Sequence, residues 1–267
     1  MPFSISDIAS EDADIRAGQA LVEKLFICTT PRCAGHTLCA DLRSAGIGVP
    51  AEYFGPQLAR PIANRFGLKI DEKSGMPMES HAYAERLMSL RSNGGVFSAK
   101  LFFRDLRHVR RSFPDMGNVT YLFLRRSDLV SQTISLFALL LSEKPFDSDE
   151  RIETGLGTIP RTRDSALEIY RWLVRQNLLW RDHLSTKSRV FMLETETFLR
   201  DRRAAVAALL RLMGKHLPNV DPSSQQCAYQ VDRELKLQLE DEFGHAIRDI
   251  DALQAPFNPP PNAVPVC

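Results

Sequence analysis

Apolar positions along the chain follow two rhythms. Short apolar runs alternate with longer stretches in which apolar residues recur at helical spacing. Leu21 to Thr29 reads as a strand whose second half is apolar enough for burial on both faces. Thr37 to Ser44 reads as a helix, closed by Ala45-Gly46 and a Gly/Pro-rich connection to Pro50. Pro56 to Asn64 is a loop or a short helix, and His81 to Ser92 carries helical spacing through Tyr83, Leu87 and Leu90. After Gly94-Gly95 the run Val96 to Phe103 is a second strand, followed by a basic helix from Leu106 to Phe113. Val119 to Arg125 is the clearest strand, β-branched and aromatic, as suits the centre of a parallel sheet. Ser127-Asp128 caps a helix that runs to about Ser142.

The second half continues the alternation. Residues 144–163, with Pro145, Gly155, Gly157 and Pro160, read as a loop able to lie over a site. Ser165 to His183 is a long amphipathic helix, Arg189 to Glu194 a late strand, Ala204 to Met213 a helix and Val231 to Ile250 a last helix. Strands alternating with helices predict an α/β fold, a parallel sheet of about four or five strands with helices on both faces. We divide the chain into a helical lead-in over 1–20, one α/β domain over 21–254 and a Pro-rich tail over 255–267, an appendage or a swapped arm.

Composition narrows the function classes. The 267 residues are 44% hydrophobic and 25% charged, with a formal net charge of +1. That near balance argues against a nucleic-acid coat protein. The five cysteines, at 28, 33, 39, 227 and 267, contain no C-x-x-C unit, so neither a structural zinc site nor a thioredoxin-like centre is expected. An odd count suits a reducing cytoplasm. Met1 to Gly18 lacks the apolar core of a signal peptide. No apolar run reaches the roughly 18 residues of a membrane span.

Three places carry candidate chemistry. The first is Thr30-Pro-Arg-Cys-Ala-Gly-His-Thr37, between a strand and a helix. A turn that opens a helix directs N–H groups and the positive end of the helix dipole at one point, an anion site. Arg32 adds a full charge with forked donors. The segment is not a Walker A motif, which needs G-x-x-x-x-G-K-[ST]. Nor does it suit a cysteine phosphatase, whose arginine would stand where Cys39 is. On local chemistry alone it is equally a plain strand-to-helix turn.

The second is Arg126 with the helix that follows, where Ser131 and Ser135 share one face. An arginine at a strand end and hydroxyls on the next helix can hold a second phosphate, away from the first loop; taken alone, they read rather as a surface ion pair and a backbone hydrogen bond. The third is Pro50-Ala-Glu-Tyr-Phe54. A partly desolvated Glu52 suits a general base, and the neighbouring aromatics suit stacking on a sugar; alone, the same carboxylate reads as a surface glutamate.

Taken in order, these motifs resemble the bacterial carbohydrate sulfotransferases typified by trehalose 2-sulfotransferase. That family has a (T/S)-x-R-S-G-S-T-L-L loop, a G-x-P-x-E-(F/Y)-F segment, a G-x-K-L-M-W-type strand and an R-x-D-x-x-x-Q-x-x-S stretch. The counterparts here are Thr30 to Leu38, Gly48-Val-Pro-Ala-Glu52-Tyr53-Phe54, Ser98-Ala-Lys100-Leu-Phe-Phe and Arg126-Ser-Asp128-Leu-Val-Ser-Gln132-Thr-Ile-Ser135. The resemblance spans about residues 24–250. It implies a P-loop kinase-like sulfotransferase fold and 3′-phosphoadenosine-5′-phosphosulfate (PAPS) as donor, without a metal. Arg32, Cys33, Ala34, Gly35, His36 and Thr37 would hold the 5′-phosphosulfate, and Arg126 with Ser135 the 3′-phosphate. Glu52 falls on the family's base, and Lys100 is a further catalytic candidate. The implied acceptor is a hydroxyl of a carbohydrate or glycolipid, and relatives form homodimers. The loop departs from the family, being one residue longer, with Cys33 and His36 where small hydroxyls stand. Val49 replaces a glutamate of the trehalose enzyme, so trehalose itself is not implied. A nucleotide-dependent phosphotransferase and an inactive nucleotide-binding interaction protein are the alternatives.

Overall fold

In the computed structural model, residues 5–15, 23–142, 159–215, 233–252 and 257–266 are described. Strands β1 (Glu23–Thr29), β4 (Val96–Leu101), β5 (Val119–Arg125), β6 (Val190–Glu194) and β7 (Ala263–Pro265) form one sheet in the order β4-β1-β5-β6-β7. Every pairing in it is parallel, with Ile27 opposite Lys100 on one side and Leu122 on the other. A two-stranded antiparallel ribbon, β2 (Ile70–Asp71) and β3 (Met76–Pro77), stands apart from it.

The sheet is covered on both faces, which is why its strands read as continuous apolar runs. Along β1, Phe26 and Cys28 join one core with α3 (Pro56–Arg65), α4 (Ser80–Arg91) and α5 (Leu106–Ser112). Leu25 and Ile27 join the other with α2 (Gly35–Ser44), α8 (Thr195–Arg200) and α9 (Arg202–Leu212). The two sets alternate because successive strand side chains point to opposite faces. A third cluster joins α6 (Leu129–Leu141), α7 (Arg163–Leu184) and α10 (Arg233–Asp251). The lead-in contributes α1 (Ile5–Ala9), and its Asp14 binds both Arg65 and the fully buried Arg91.

Element bounds differ from the sequence reading at several ends. Pro56–Arg65 is a helix, with Pro56 in its first turn and Pro61 inside. The ribbon, α8 and β7 were not anticipated. The tail expected as an appendage or swapped arm carries β7, paired with β6 of the same chain, and Asn262 donates to the carbonyls of Leu184 and Lys187. Of the loop expected over 144–163, residues 144–158 lie outside the described residues, and 159–162 lead into α7, which already begins at Arg163.

Strand order fixes where a ligand crevice forms. From β1 the chain goes to β4 on one side, and from β5 it goes to β6 on the other. The carboxyl ends of β1 and β5 are therefore a topological switch point, the usual ligand position in open α/β sheets. The loops carrying Arg32 and Arg126 leave the sheet there.

Candidate active site at the strand ends

The loop after β1 is held open by strained backbone. Arg32 and Ala34 have φ of 66° and 56°, in the left-handed region, with Cys33 between them outside it. Alternating φ signs turn successive N–H groups toward one side and make an anion-binding concavity. Non-glycine residues in this region cost of order 1 kcal/mol or more each and persist where the surroundings impose them. Those surroundings can be named. Gln132, fully buried on α6, donates from Nε2 to Thr30 Oγ1 at 3.0 Å, to the Pro31 carbonyl and to Cys33 Sγ at 3.1 Å. Trp180 Nε1 donates to the Thr29 carbonyl at 2.9 Å, and Thr195 Oγ1 to that of Cys33 at 3.0 Å. No side chain caps α2, which leaves the first-turn N–H groups of Gly35, His36 and Thr37 to face the crevice.

Glu52 reaches this helix end from the neighbouring segment. Residues 46–51 run beside β4: Ser98 Oγ donates to the Ile47 carbonyl, and the Lys100 N–H to that of Ala51 at 2.9 Å. The register sets Glu52 against Lys100, whose ammonium donates to Glu52 Oε1. His36 Nε2 lies 3.2 Å from the same oxygen. Burial would raise the Glu52 carboxyl, but Lys100 and then His36 outweigh it and hold it well below the ordinary 4.5. Gly35 is what lets Lys100 cross the helix end: a Cβ there would stand 2.9 Å from Lys100 Cε. A cation, a histidine and an ionised carboxylate thus meet at the open end of α2.

The sequence profile of the Stf0 sulphotransferases matches residues 24–236. The chain belongs to this family. Sulphotransferase activity is accordingly what the match supports. A search of curated protein sequences returns no match. Among solved structures, a sulfotransferase from Alicyclobacillus acidocaldarius is similar at TM-score 0.51 and 15% identity, over 89% of this chain and 96% of that one. The sulfotransferase domain of the curacin biosynthetic pathway gives 0.50 and 12%, over 90% and 94%. That of the Synechococcus PCC 7002 olefin synthase gives 0.50 and 17%, over 90% and 92%. These likenesses show a shared sulfotransferase fold.

Within this sulphotransferase, the residues expected from sequence sit differently in three respects. Arg32 and Ser135 were assigned to opposite ends of a donor, yet Arg32 Nε donates to Ser135 Oγ at 3.1 Å, so the residues expected to form two separate anion sites adjoin. Arg126 lies 3.8 Å from Glu196, and the charges of both arginines bear on one lysine. That lysine is Lys236 on α10, lowered first by burial and then by the charges of Arg126 and Arg32. Cys33 is 1% exposed and turned into the core, so only its backbone can face an anion. Tyr53 and Phe54, expected to flank a sugar, are fully buried. Tyr53 stacks on Phe97 and bonds the Val49 carbonyl, while Phe54 meets Tyr83 and Phe113 edge-on. They anchor the Glu52 segment and touch no crevice. Reasoning from sequence overlooked Gln132, whose place in the R-x-D-x-x-x-Q stretch was the available signal, and Lys236, which carries none. Among the described residues no cluster of three metal-ligating side chains occurs, and no helix is long and apolar enough to cross a membrane.

Proposed function

We propose that the protein transfers a sulfuryl group from PAPS to a hydroxyl of a carbohydrate or glycolipid. The observation that carries this reading is the meeting of Glu52, Lys100 and His36 at the uncapped end of α2. The N–H groups of residues 33–37 and the Arg32 guanidinium hold the 5′-phosphosulfate. Arg126 and Ser135 hold the 3′-phosphate, in a crevice continuous with the first site. Sulfuryl transfer resembles phosphoryl transfer in needing positioning and charge stabilisation more than covalent help from protein. The acceptor oxygen attacks sulfur as its proton passes to Glu52. The bond from sulfur to the bridging phosphate oxygen breaks in line, and adenosine 3′,5′-bisphosphate (PAP) leaves with the bonding pair. Lys100 and Arg32 stand where that negative charge grows.

Thermal unfolding with and without PAP tests the donor site. At ten times its Kd, PAP should stabilise the fold by about 1.4 kcal/mol. Absence of any shift would overturn the donor assignment. Incubation with ³⁵S-labelled PAPS and a panel of glycosides and glycolipids tests the transfer. Glu52→Gln should lower turnover by about 10²–10⁴-fold while PAP affinity stays within a few-fold. Full activity in that variant would remove Glu52 from the chemistry.

A further inference from the structure

A basic face is formed by α5 and the carboxyl end of α7. Arg107, Arg110 and Arg111 are spaced i, i+3 and i+4, so they share one side of α5, and all three are exposed. Arg110 Nη2 lies 3.5 Å from His183 Nδ1, which joins the end of α7 to the same face. Among the described residues no carboxylate lies within ion-pair distance of the three arginines. The acids nearby are engaged elsewhere. Asp105 is buried, accepts from the Phe102 N–H and lies 3.7 Å from Arg104, while Asp182 accepts from Arg181 at 2.8 Å. Two histidines register the resulting field. His108 is lowered to about 4 by burial and then by Arg107, Arg111 and Arg104, against Asp71. His183 is lowered to about 4 by burial, then by Lys187 and Arg110. The contacts agree with a neutral His108, since its Nε2 accepts from Arg107 Nε at 2.9 Å. The chain carries a net charge of only +1, so the face is a local concentration of charge and not a reflection of the whole.

We propose that this face docks an acidic segment of a partner protein. Like charges three and four residues apart repel on a helix, and a partner's carboxylates remove that repulsion. All three exposed cations on α5 are arginines, whose forked donors match a carboxylate in two parallel hydrogen bonds. Their spacing suits carboxylates at the same spacing on a helix laid alongside. A lipid surface fits less well. Helices that lie on membranes set large apolar side chains beside their cations. The apolar residues of α5, Leu106 and Val109, are buried, and none of the large exposed apolar side chains stands on this helix. Nucleic acid is disfavoured by the near-neutral charge of the chain. None of the three arginines belongs to the site proposed for sulfuryl transfer, so docking and transfer can be lost separately.

The test uses the full chain and a fluorescein-labelled helical peptide with glutamates at i, i+3 and i+4, read by fluorescence anisotropy. The same peptide with glutamines, phosphatidylglycerol vesicles and a single-stranded oligonucleotide are the comparison probes. The glutamate peptide should bind saturably and the glutamine peptide should not. Raising salt from about 50 to about 200 mM should weaken the binding. Arg107→Glu, Arg110→Glu and Arg111→Glu together should weaken it about tenfold or more. Arg163→Glu, Arg200→Glu and Arg211→Glu together change the net charge equally at other exposed positions, and should leave binding within about twofold. Should the first reversed protein fail to fold, Arg107→Gln, Arg110→Gln and Arg111→Gln together give the same reading. Equal binding by the two reversed proteins would reduce the effect to net charge and overturn the proposal. So would failure of the glutamate peptide to bind, binding shared by the glutamine peptide, or binding indifferent to salt. Vesicles or oligonucleotide that bind where the peptide does not, or that displace it at a lower concentration of charge, would also overturn it and assign the face to lipid or nucleic acid.

Discussion

At the scale of the residue, the site turns on how Glu52 is held. Its lowered carboxyl contributes stability above the ordinary 4.5, and that contribution is lost as pH falls through the lowered value. In the free enzyme the same pairing keeps Glu52 ionised in mild acid. Lys100→Met removes the larger stabilising charge and keeps the burial, so the Glu52 carboxyl should rise. The acid limb of kcat/KM, which reports the free enzyme, should then move to higher pH in that variant. An unmoved limb would mean that Lys100 does not set Glu52. Gly35 gives a second check. Its φ is ordinary for a helix, so alanine fits the backbone, but the added Cβ meets Lys100 Cε at 2.9 Å. Gly35→Ala should leave the unfolding temperature nearly unchanged while lowering turnover at least tenfold, since the lysine end must move. Equal losses of stability and activity would refute that account. The motifs in the sequence singled out Arg32, Glu52 and Lys100 by their spacing, and the structure brings Glu52 and Lys100 into contact. The same letters could not tell which way Tyr53 and Phe54 face. In an irregular segment no periodicity assigns sides, and only the packing of Phe97 and Tyr83 decides it.

At the scale of the element, the strand-to-helix alternation was legible because buried parallel strands leave long apolar runs. Val119–Arg125 matched to the residue. What the pattern hid is short. The ribbon strands have two residues each and β7 three, too few to show a period. The prolines around β7 also read against a strand, yet proline is tolerated at a sheet edge, where β7 lies. Residues 46–51 are another irregular element with a strict requirement. Gly48 has φ of 64°, and a Cβ there would lie 2.3 Å from Ser98 Oγ and 2.9 Å from the Val96 carbonyl. The segment runs against β4 at that point, and it carries Glu52 four residues on. Gly48→Ala therefore combines backbone strain with a clash against a strand, and should cost about 2–4 kcal/mol in chemical denaturation. A cost under 1 kcal/mol would show that the segment can lift from β4 without loss.

Across the whole molecule, three elements distant in sequence bring positive charges within electrostatic reach of one another: the loop after β1, the loop after β5 and the start of α10. The last was invisible from sequence, because a lysine on an amphipathic helix looks like any solvated one. It is set there by packing of α10 on α6, where Phe243 meets Phe137 at 5.7 Å and Leu239 is fully buried. The unliganded protein bears a cost for this arrangement. Lys236 is lowered by burial and by Arg126 and Arg32, so just below its ordinary 10.5 the unfolded chain holds a proton that the folded one sheds. Stability from this group therefore rises with pH through that window. Lys236→Gln removes both the repulsion and the pH dependence. The unliganded variant should be as stable as the parent or slightly more so, with a flatter stability profile toward alkaline pH. Its affinity for PAP should fall about tenfold, equivalent to about 1.4 kcal/mol. Opposite movement of stability and affinity is the outcome that marks a charge kept for its ligand. If both fell together, Lys236 would be a packing residue and α10 no part of the donor crevice.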